Sequence, residues 1–428
     1  MSRSDRPILV IGGGVVGAAC ALELAGRGHR VRILERDRFG RGCSHGNCGL
    51  VSPSHVLPLC MPGALAKSMR MVLSSGSPLY VRPRFDPELA RWLMNFARRC
   101  RKDAMLEAAA ARAALLLASM DRYEKMIRAG ELAGEWERRG TLFVFASKKG
   151  FEHFEEENDL VRERFGVGAE KWDAEKLLER EPTLRPVVAG AWHYEIDAHV
   201  RPDVLMTSWK KALEQRGVEI EENCEFRSLR TERGRVVAVL TSEGEREASQ
   251  VVFALGAVTP RFADKLGVRI PIQPGKGYSI TMGRPEDSPN LPLLFQERKV
   301  VATPWPSGIR LGSTMEFSGY DTTVNPKRLK LLTDAAAFHF KKTFDAPVVE
   351  EWYGWRPMTY DEMPVIDRLP AFENAWLAAG HGMLGLSMAP ATGALVADLM
   401  TGATPSVDPT PFRIARFGSR AIATPVAQ

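Results

Sequence analysis

The chain has 428 residues, 45% of them hydrophobic and 26% charged, a balance that suits a soluble globular protein with room for two cores and excludes fibrous or low-complexity classes. Its 58 basic and 52 acidic residues leave a net charge of +6, too small to call for a nucleic-acid partner. The six cysteines form no Cys-x-x-Cys pair, and Cys43, His45 and Cys48 have no second cluster to complete a site, so no metal is expected.

Ile8 to Ile11 reads as a buried strand, followed by Gly12-Gly-Gly14-Val-Val16-Gly17, a helix-like run, and a second strand from Val31 that ends at Glu35. Gly12 permits the tight turn, Gly14 lets the backbone approach a pyrophosphate, and Gly17 lets the helix pack on the strand. The helix N-terminus then faces the phosphates. Glu35, 18 residues beyond Gly17, is placed to accept hydrogen bonds from an adenosine ribose. The unit predicts dinucleotide binding; Glu35 disfavours a 2′-phosphate, while Arg36 beside it leaves NADP open. No apolar signal region precedes Ile8, which points to the cytoplasm.

Pro53 to Pro87, rich in Pro, Ser and Gly, reads as an irregular loop, and helical sequence follows from Asp86 to about Leu132. Within it Leu89, Trp92, Leu93 and Phe96 alternate with Arg91, Arg98, Arg99, Arg101 and Lys102. This is an amphipathic basic helix, either docked with a solvated face or lying on an anionic membrane surface. Gly140 to Ala146 is a strand, Asp173 opens a short helix, and Pro202 opens another ending at Gly217. Val218–Phe226, Val236–Thr241 and Gln250–Leu255 are strands, and Gly275–Met282 and Val300–Glu316 alternate as strands of a second sheet. From Trp352 the chain returns to Gly-rich turns, a strand around Ala375 to Ala378 and a helix from about Ala391. The expected fold class is α/β: a Rossmann-type cofactor domain (1–76, 172–260 and 352–405) interleaved with an α+β substrate domain on a mixed or antiparallel sheet (77–171 and 261–351), with a tail over 406–428. No window is apolar enough to cross a bilayer; Trp376 to Met400 is interrupted by His381, Pro390 and Asp398.

The C-terminal turn indicates which dinucleotide. Gly380, Gly382 and Gly385 permit close approach, and the helix N-terminus behind them would stabilise negative charge on a reduced flavin. With Ser44-His-Gly-Asn-Cys-Gly-Leu-Val-Ser-Pro, Arg82-Pro-Arg-Phe-Asp-Pro, Lys276-Gly-Tyr-Ser, Trp355-Arg-Pro-Met-Thr and Gly380-His-Gly, the chain resembles the FAD-dependent D-amino acid oxidase superfamily. Within it, the bacterial respiratory D-amino acid dehydrogenases are the most similar. Two blocks depart from the pattern: His45-Gly46 stands where an aromatic residue and alanine are usual, and Tyr360-Asp-Glu-Met-Pro364 replaces a Thr-Pro-Asp-Gly-like turn.

The resemblance implies FAD-dependent oxidative deamination of a free amino acid, the D form favoured, with hydride passing from Cα to flavin N5. The imino acid would hydrolyse to a 2-oxo acid and ammonia, and the electrons would go to a quinone or other non-oxygen acceptor. Contact with the inner face of the membrane and the oligomeric state stay open. Arg356 is expected to clamp the substrate carboxylate as a planar bidentate partner. Tyr278 would hydrogen-bond the same carboxylate or cover the substrate, with core packing as the alternative. His381 would tune amine or flavin protonation, or else hydrogen-bond a backbone carbonyl; Lys276 would act near N5 or the carboxylate. Gly12, Gly14, Val16, Gly17, Glu35 and Arg36 would cradle ADP, with Ser44, Asn47, Gly49 and Leu50 along the pyrophosphate and isoalloxazine. The Phe226 backbone would meet adenine, Leu255 and Gly256 would lead into the flavin domain, and Gly382, Gly385 and Leu386 would approach the pyrimidine edge. Related sarcosine oxidases tether flavin to a cysteine near the Arg356 motif. This chain has no cysteine after Cys224, so FAD is expected to be non-covalent. The alternatives are an enzyme for glycine, sarcosine, proline or hydroxyproline-like amines, a nicotinamide dehydrogenase, and a non-catalytic flavoprotein subunit.

Overall fold

The computed structural model describes residues 6–72, 76–342 and 344–418. Ile8–Ile11, buried at all four positions, lies inside a six-stranded sheet. The order is Val365–Arg368, Ala375–Ala379, Gln250–Phe253, Ile8–Ile11, Val31–Leu34 and Glu219–Glu221, parallel except for Val365–Arg368. A parallel sheet is covered on both faces, which is why these strands are apolar on both sides. Ile8 and Val10 pack with helices Val15–Gly26 and Gly385–Thr401, whereas Leu9 and Ile11 pack with Phe226 and Phe253 on the other face. There a three-stranded meander (Phe226–Glu232, Arg235–Thr241, Gly244–Glu247) covers the sheet.

The second sheet has nine strands. Val348–Thr359, Ile272–Met282, Gly308–Phe317, Val300–Trp305, Leu293–Phe295, Thr141–Phe145, Gly190–Tyr194 and Glu170–Asp173 follow in order, with Leu79–Val81 added beside Gly308–Phe317. Two pairings are parallel, so the sheet is mixed. Helix Pro326–His339 covers one face, with Leu329 and Leu332 against Ile280 and Met282.

Several elements differ from the expected ones. The stretch expected as a loop before Pro87 contains helix Ala64–Val72 and strand Leu79–Val81, and the long helical region breaks into Pro87–Arg99 and Lys102–Arg128. Val218–Phe226 divides between two sheets. Helix Lys148–Phe165, capped by Ser147 and closed by Gly166, was not expected. The last helix starts at Gly385, six residues earlier than expected, with Pro390 inside it. Proline removes the amide that would bond the Leu386 carbonyl, and the Tyr123 hydroxyl donates to that carbonyl at 2.9 Å instead. Glu170–Asp173, Gly190–Tyr194 and Val348–Thr359 belong to the large sheet, so boundaries drawn at 172 and 352 would cut through it. Among the described residues no helix is long and apolar enough to cross a membrane.

Candidate active site

The glycines of the first turn fall into two kinds. Gly12 has φ +114°, and a Cβ there would lie 2.5 Å from the Ala254 carbonyl oxygen; on Gly17 it would lie 1.9 Å from the Gly12 carbonyl oxygen. The chain itself demands glycine at both. Gly14 is different, because a Cβ would meet only Ser44 Oγ at 3.4 Å. Its bare backbone serves space outside the chain, at the start of a helix whose first turn carries no acid. Such an end attracts an anion, and the pyrophosphate of a dinucleotide fits it. Ser44 Oγ accepts from Val15 N–H at 2.9 Å. The Glu35 carboxylate accepts from Gly13 N–H at 2.7 Å and Asp37 N–H at 2.9 Å, which fixes it against the turn. Arg36 pairs with Asp37 near solvent, and Val16 is half-buried on the helix.

The expected flavin segments converge. Asn47 donates to the Ser44 carbonyl and accepts from Gly49 N–H, both at 2.9 Å, closing the loop on itself. Ser387 Oγ donates to the Leu50 carbonyl and accepts from Ser52 N–H, tying this loop to the start of the last helix beside Gly385 and Leu386. Gly382 N–H donates to the Pro357 carbonyl at 3.0 Å, so the C-terminal turn is clipped to the strand carrying Arg356. Leu255 and Gly256, φ +55°, follow strand Gln250–Phe253. The Phe226 ring packs against Phe253 and Phe262, and its backbone pairs with Thr241 at the start of the meander.

Arg356 pairs in register with Gly275, and its guanidinium lies flat on Gly277: a Cβ there would be 2.3 Å from Nη1 and 2.4 Å from Cζ and Nη2. Nη1 donates to the Thr314 carbonyl at 2.8 Å and lies 3.8 Å from Met315 Sδ. Among the described residues Arg356 has no carboxylate partner. Burial pushes the Cys43 and Cys48 thiols up, and the Arg356 charge is the largest influence opposing it, so the guanidinium faces the 43–48 loop.

Two expected partners of Arg356 are not brought to it. Gly275, Gly277 and Ser279 face the 43–49 loop, where Ser279 Oγ donates to the Gly46 carbonyl at 2.8 Å. Lys276 and Tyr278 alternate to the opposite face. There Tyr278 donates to Glu316 at 3.0 Å, and Lys276 Nζ donates to the Thr323 carbonyl with the Tyr353 ring 4.5 Å away. His381 pairs through its backbone with Met358, but its ring turns into the last helix, with Nε2 3.0 Å from Thr392 Oγ1. Burial pushes it down to about 3, which favours the neutral imidazole.

Other residues shape the site without having been singled out. The Trp352 indole lies on two bare backbones: a Cβ on Gly46 or on Gly354 would be 2.1 Å from it, which accounts for glycine at position 46. Arg310, 1% exposed, donates to the carbonyls of His45 (3.1 Å) and Asn47 (2.9 Å) and braces the loop from the sheet. A sequence signal existed, since glycines inside strands, here 275, 277, 312 and 354, mark close approach. The cleft of about 780 Å³ lined by Arg38, Arg41, His45, Asp203, Arg310 and Glu350 lies beside this loop, and neither the turn glycines nor Arg356 lines it.

The sequence from residue 7 to 399 matches the family described as FAD dependent oxidoreductase. The chain belongs to that family. FAD-dependent oxidoreductases similar to it include the D-amino acid dehydrogenase of Xanthobacter autotrophicus, 31% identical over 421 residues and covering 97% of this chain and 100% of that one. The D-amino acid dehydrogenase of Cereibacter sphaeroides is 32% identical over 416 residues, 96% and 95% of the two chains. Among solved structures, glycine oxidase from Geobacillus kaustophilus has TM-score 0.75 at 24% identity over 96% of this chain and 98% of its own. L-proline dehydrogenase from P. horikoshii has TM-score 0.73 at 21% identity over 97% and 99%. These two likenesses establish the fold. The cofactor of the FAD-dependent oxidoreductase family is the one the Gly14 space and the converging loops fit, which sets the nicotinamide alternative aside.

Proposed function

We propose that the protein oxidises a free amino acid, with Arg356 holding the substrate carboxylate. FAD, when bound along the Gly14 turn and the 44–50 loop, supplies the two-electron acceptor. The observation that carries this is the guanidinium laid on Gly277 with, among the described residues, a carbonyl and a thioether as its polar contacts. A half-buried arginine with no carboxylate of its own among the described residues is poised to take one from a ligand. The D preference is supported by the names of the full-length relatives. Arg356→Ala should weaken substrate capture roughly 30- to 1000-fold, the loss of about 2–4 kcal/mol from a charge-assisted pair, while FAD stays bound. Anaerobic bleaching of the flavin by amino acids of both hands tests the substrate class, and bleaching by none would leave a non-catalytic flavoprotein.

The electron acceptor in this reading is a quinone reached at an anionic membrane surface. Leu89 and Trp92 of helix Pro87–Arg99 face inward, Trp92 donating to the Met358 carbonyl at 3.0 Å, so that side of the helix is docked. Its outer side adds Leu93 and Met94 to Phe85, which is 95% exposed, among Arg84, Arg91 and Arg98. Apolar tips among arginines suit an interface of anionic lipid. Phe85→Asp should lower co-sedimentation with anionic vesicles at low salt without changing turnover with a soluble dye. Equal turnover with air and with a quinone analogue would favour an oxidase.

A further inference from the structure

Strand Gly308–Phe317 is irregular beside Arg356. Against Ile272–Met282 its register runs Gly312 to Ser279 and Ser313 to Tyr278, and then jumps to Glu316 opposite Lys276. Three steps on one strand thus match two on the other, the signature of a bulge. Ser313 and Thr314 carry φ of +113° and +56°. Neither is glycine, and a β-branched residue in the left-handed region is a strained one that the surroundings must hold in place.

The bulge has two effects at Arg356. It turns the Thr314 carbonyl onto Nη1. It also reverses the facing of the residues that follow, because side chains alternate along a strand and one extra residue exchanges the two sides. Gly312 faces the 43–49 loop, since a Cβ on it would be 2.7 Å from Cys48 Sγ. Regular alternation from Gly312 would bring Glu316 to that face and send Met315 away. Instead Met315 Sδ lies over Gly275 and beside Arg356, and the Glu316 carboxylate is buried on the opposite face under Tyr278, with Arg328 Nε 4.0 Å from it.

We propose that the Ser313–Thr314 bulge is a positioning device that keeps Arg356 free for a carboxylate ligand. It gives the guanidinium a neutral acceptor to hold its orientation and keeps the nearby glutamate off its face. This rests on Arg356 being the carboxylate clamp. A glutamate on the Arg356 face would form an internal ion pair, and a tethered carboxylate outcompetes a free one at any ordinary ligand concentration.

The test uses the holoenzyme and acetate as the probe, read as the acetate concentration that half-perturbs the visible spectrum of the bound flavin, with acetamide as the uncharged control. Met315→Glu, which returns a carboxylate to the Arg356 face, should bind acetate at least thirtyfold more weakly than the isosteric Met315→Gln. Removal of Thr314 takes away the carbonyl that holds Nη1 and leaves Met315 and Glu316 on their present faces, so it tests the acceptor alone and should bind acetate at least tenfold more weakly than Thr314→Gly, which keeps the bulge. Equal acetate binding by Met315→Glu and Met315→Gln would overturn the proposal even if the deletion failed to fold. Arg356→Gln separates the two layers of argument. Unchanged acetate binding in that variant refutes the clamp itself, whereas its loss together with indifference to Met315→Glu refutes only the bulge.

Discussion

Replacing Gly277 by alanine adds a single methyl group at the most sensitive point of the site. That methyl would lie 2.3 Å from Arg356 Nη1 and 2.4 Å from Cζ and Nη2, where ordinary contact begins at 3.4 Å. Gly277 is not among the glycines with positive φ, so alanine is compatible with the strand and the fold should persist. The guanidinium must therefore withdraw by about 1 Å, which stretches its bond to the Thr314 carbonyl beyond hydrogen-bond range. Losing a charge-assisted hydrogen bond of this kind costs about 1.5–3 kcal/mol, a rise in KM of roughly 10- to 150-fold. The assay is anaerobic dye reduction over a range of amino acid concentration, with FAD content read from the visible spectrum of the same preparation. Gly275→Ala serves as the comparison, because its methyl meets the flexible thioether chains of Met315 and Met358, which can move aside. An unchanged KM in Gly277→Ala at full flavin content, or a larger rise in Gly275→Ala, would refute the placement of Arg356.

Glu35→Ala should lose about 1–3 kcal/mol of FAD affinity, with faster release on dilution, and excess FAD should restore turnover at a near-normal KM because the ribose is remote from the reacting end of the flavin. Arg112 and Glu362, 3% and 4% exposed and 3.0 Å apart, form a buried ion pair that also receives Leu59 N–H; Arg112→Ala leaves the glutamate uncompensated and should cost about 3–5 kcal/mol in denaturant unfolding. For pH, burial pushes His55, His199 and His339 down to about 4 and His381 to about 3. Unfolded histidine titrates near 6.5, so the unfolded chain binds more protons between about pH 6.5 and 4, and stability falls as pH drops through that window. Asp197 and Glu181, pushed up to about 7 by burial, act in the opposite sense because there the native state holds the extra proton. With four groups against two, Tm should fall from pH 6.5 to 4 and fall less steeply in His381→Asn; a Tm that rises over that window would contradict this balance.

The cofactor turn was legible in the sequence because everything it needs is local: strand, glycines, helix and Glu35 lie within 28 residues. Arg356 could be singled out as a candidate from its Gly-Trp-Arg-Pro-Met setting, but its strand could not be read. Val348 and Val349 are exposed and Gly354 and Pro357 interrupt the alternation, so Val348–Thr359 reads as a turn until it pairs along the whole of Ile272–Met282. The facing of Lys276 and Tyr278 has a similar origin. Alternation separates them from Gly277, yet only the pairing of Gly275 with Arg356 says which set shares the face of Arg356. A bulge such as Ser313–Thr314, carried by residues that normally avoid positive φ, leaves no local signal at all. The start of the last helix was missed because Pro390 reads as a breaker, and the Tyr123 hydroxyl that replaces its lost hydrogen bond comes from more than 260 residues away.

The strand order has a consequence for synthesis on the ribosome. Ile8–Ile11 is flanked by Val31–Leu34, made almost at once, and by Gln250–Phe253, made some 240 residues later. At translation rates of roughly 5–20 residues per second the first strand waits on the order of 10–50 s for its second neighbour, and longer still for Ala375–Ala379 and the helix Gly385–Thr401 that covers it. During that interval a flat apolar strand edge stays open to other chains, the usual route to aggregation. Recombinant yield should therefore respond to elongation speed, temperature and chaperone supply more than to gains in native stability. Truncation before Thr401 should send the product to the insoluble fraction even though every residue of the cofactor turn and Arg356 is still present.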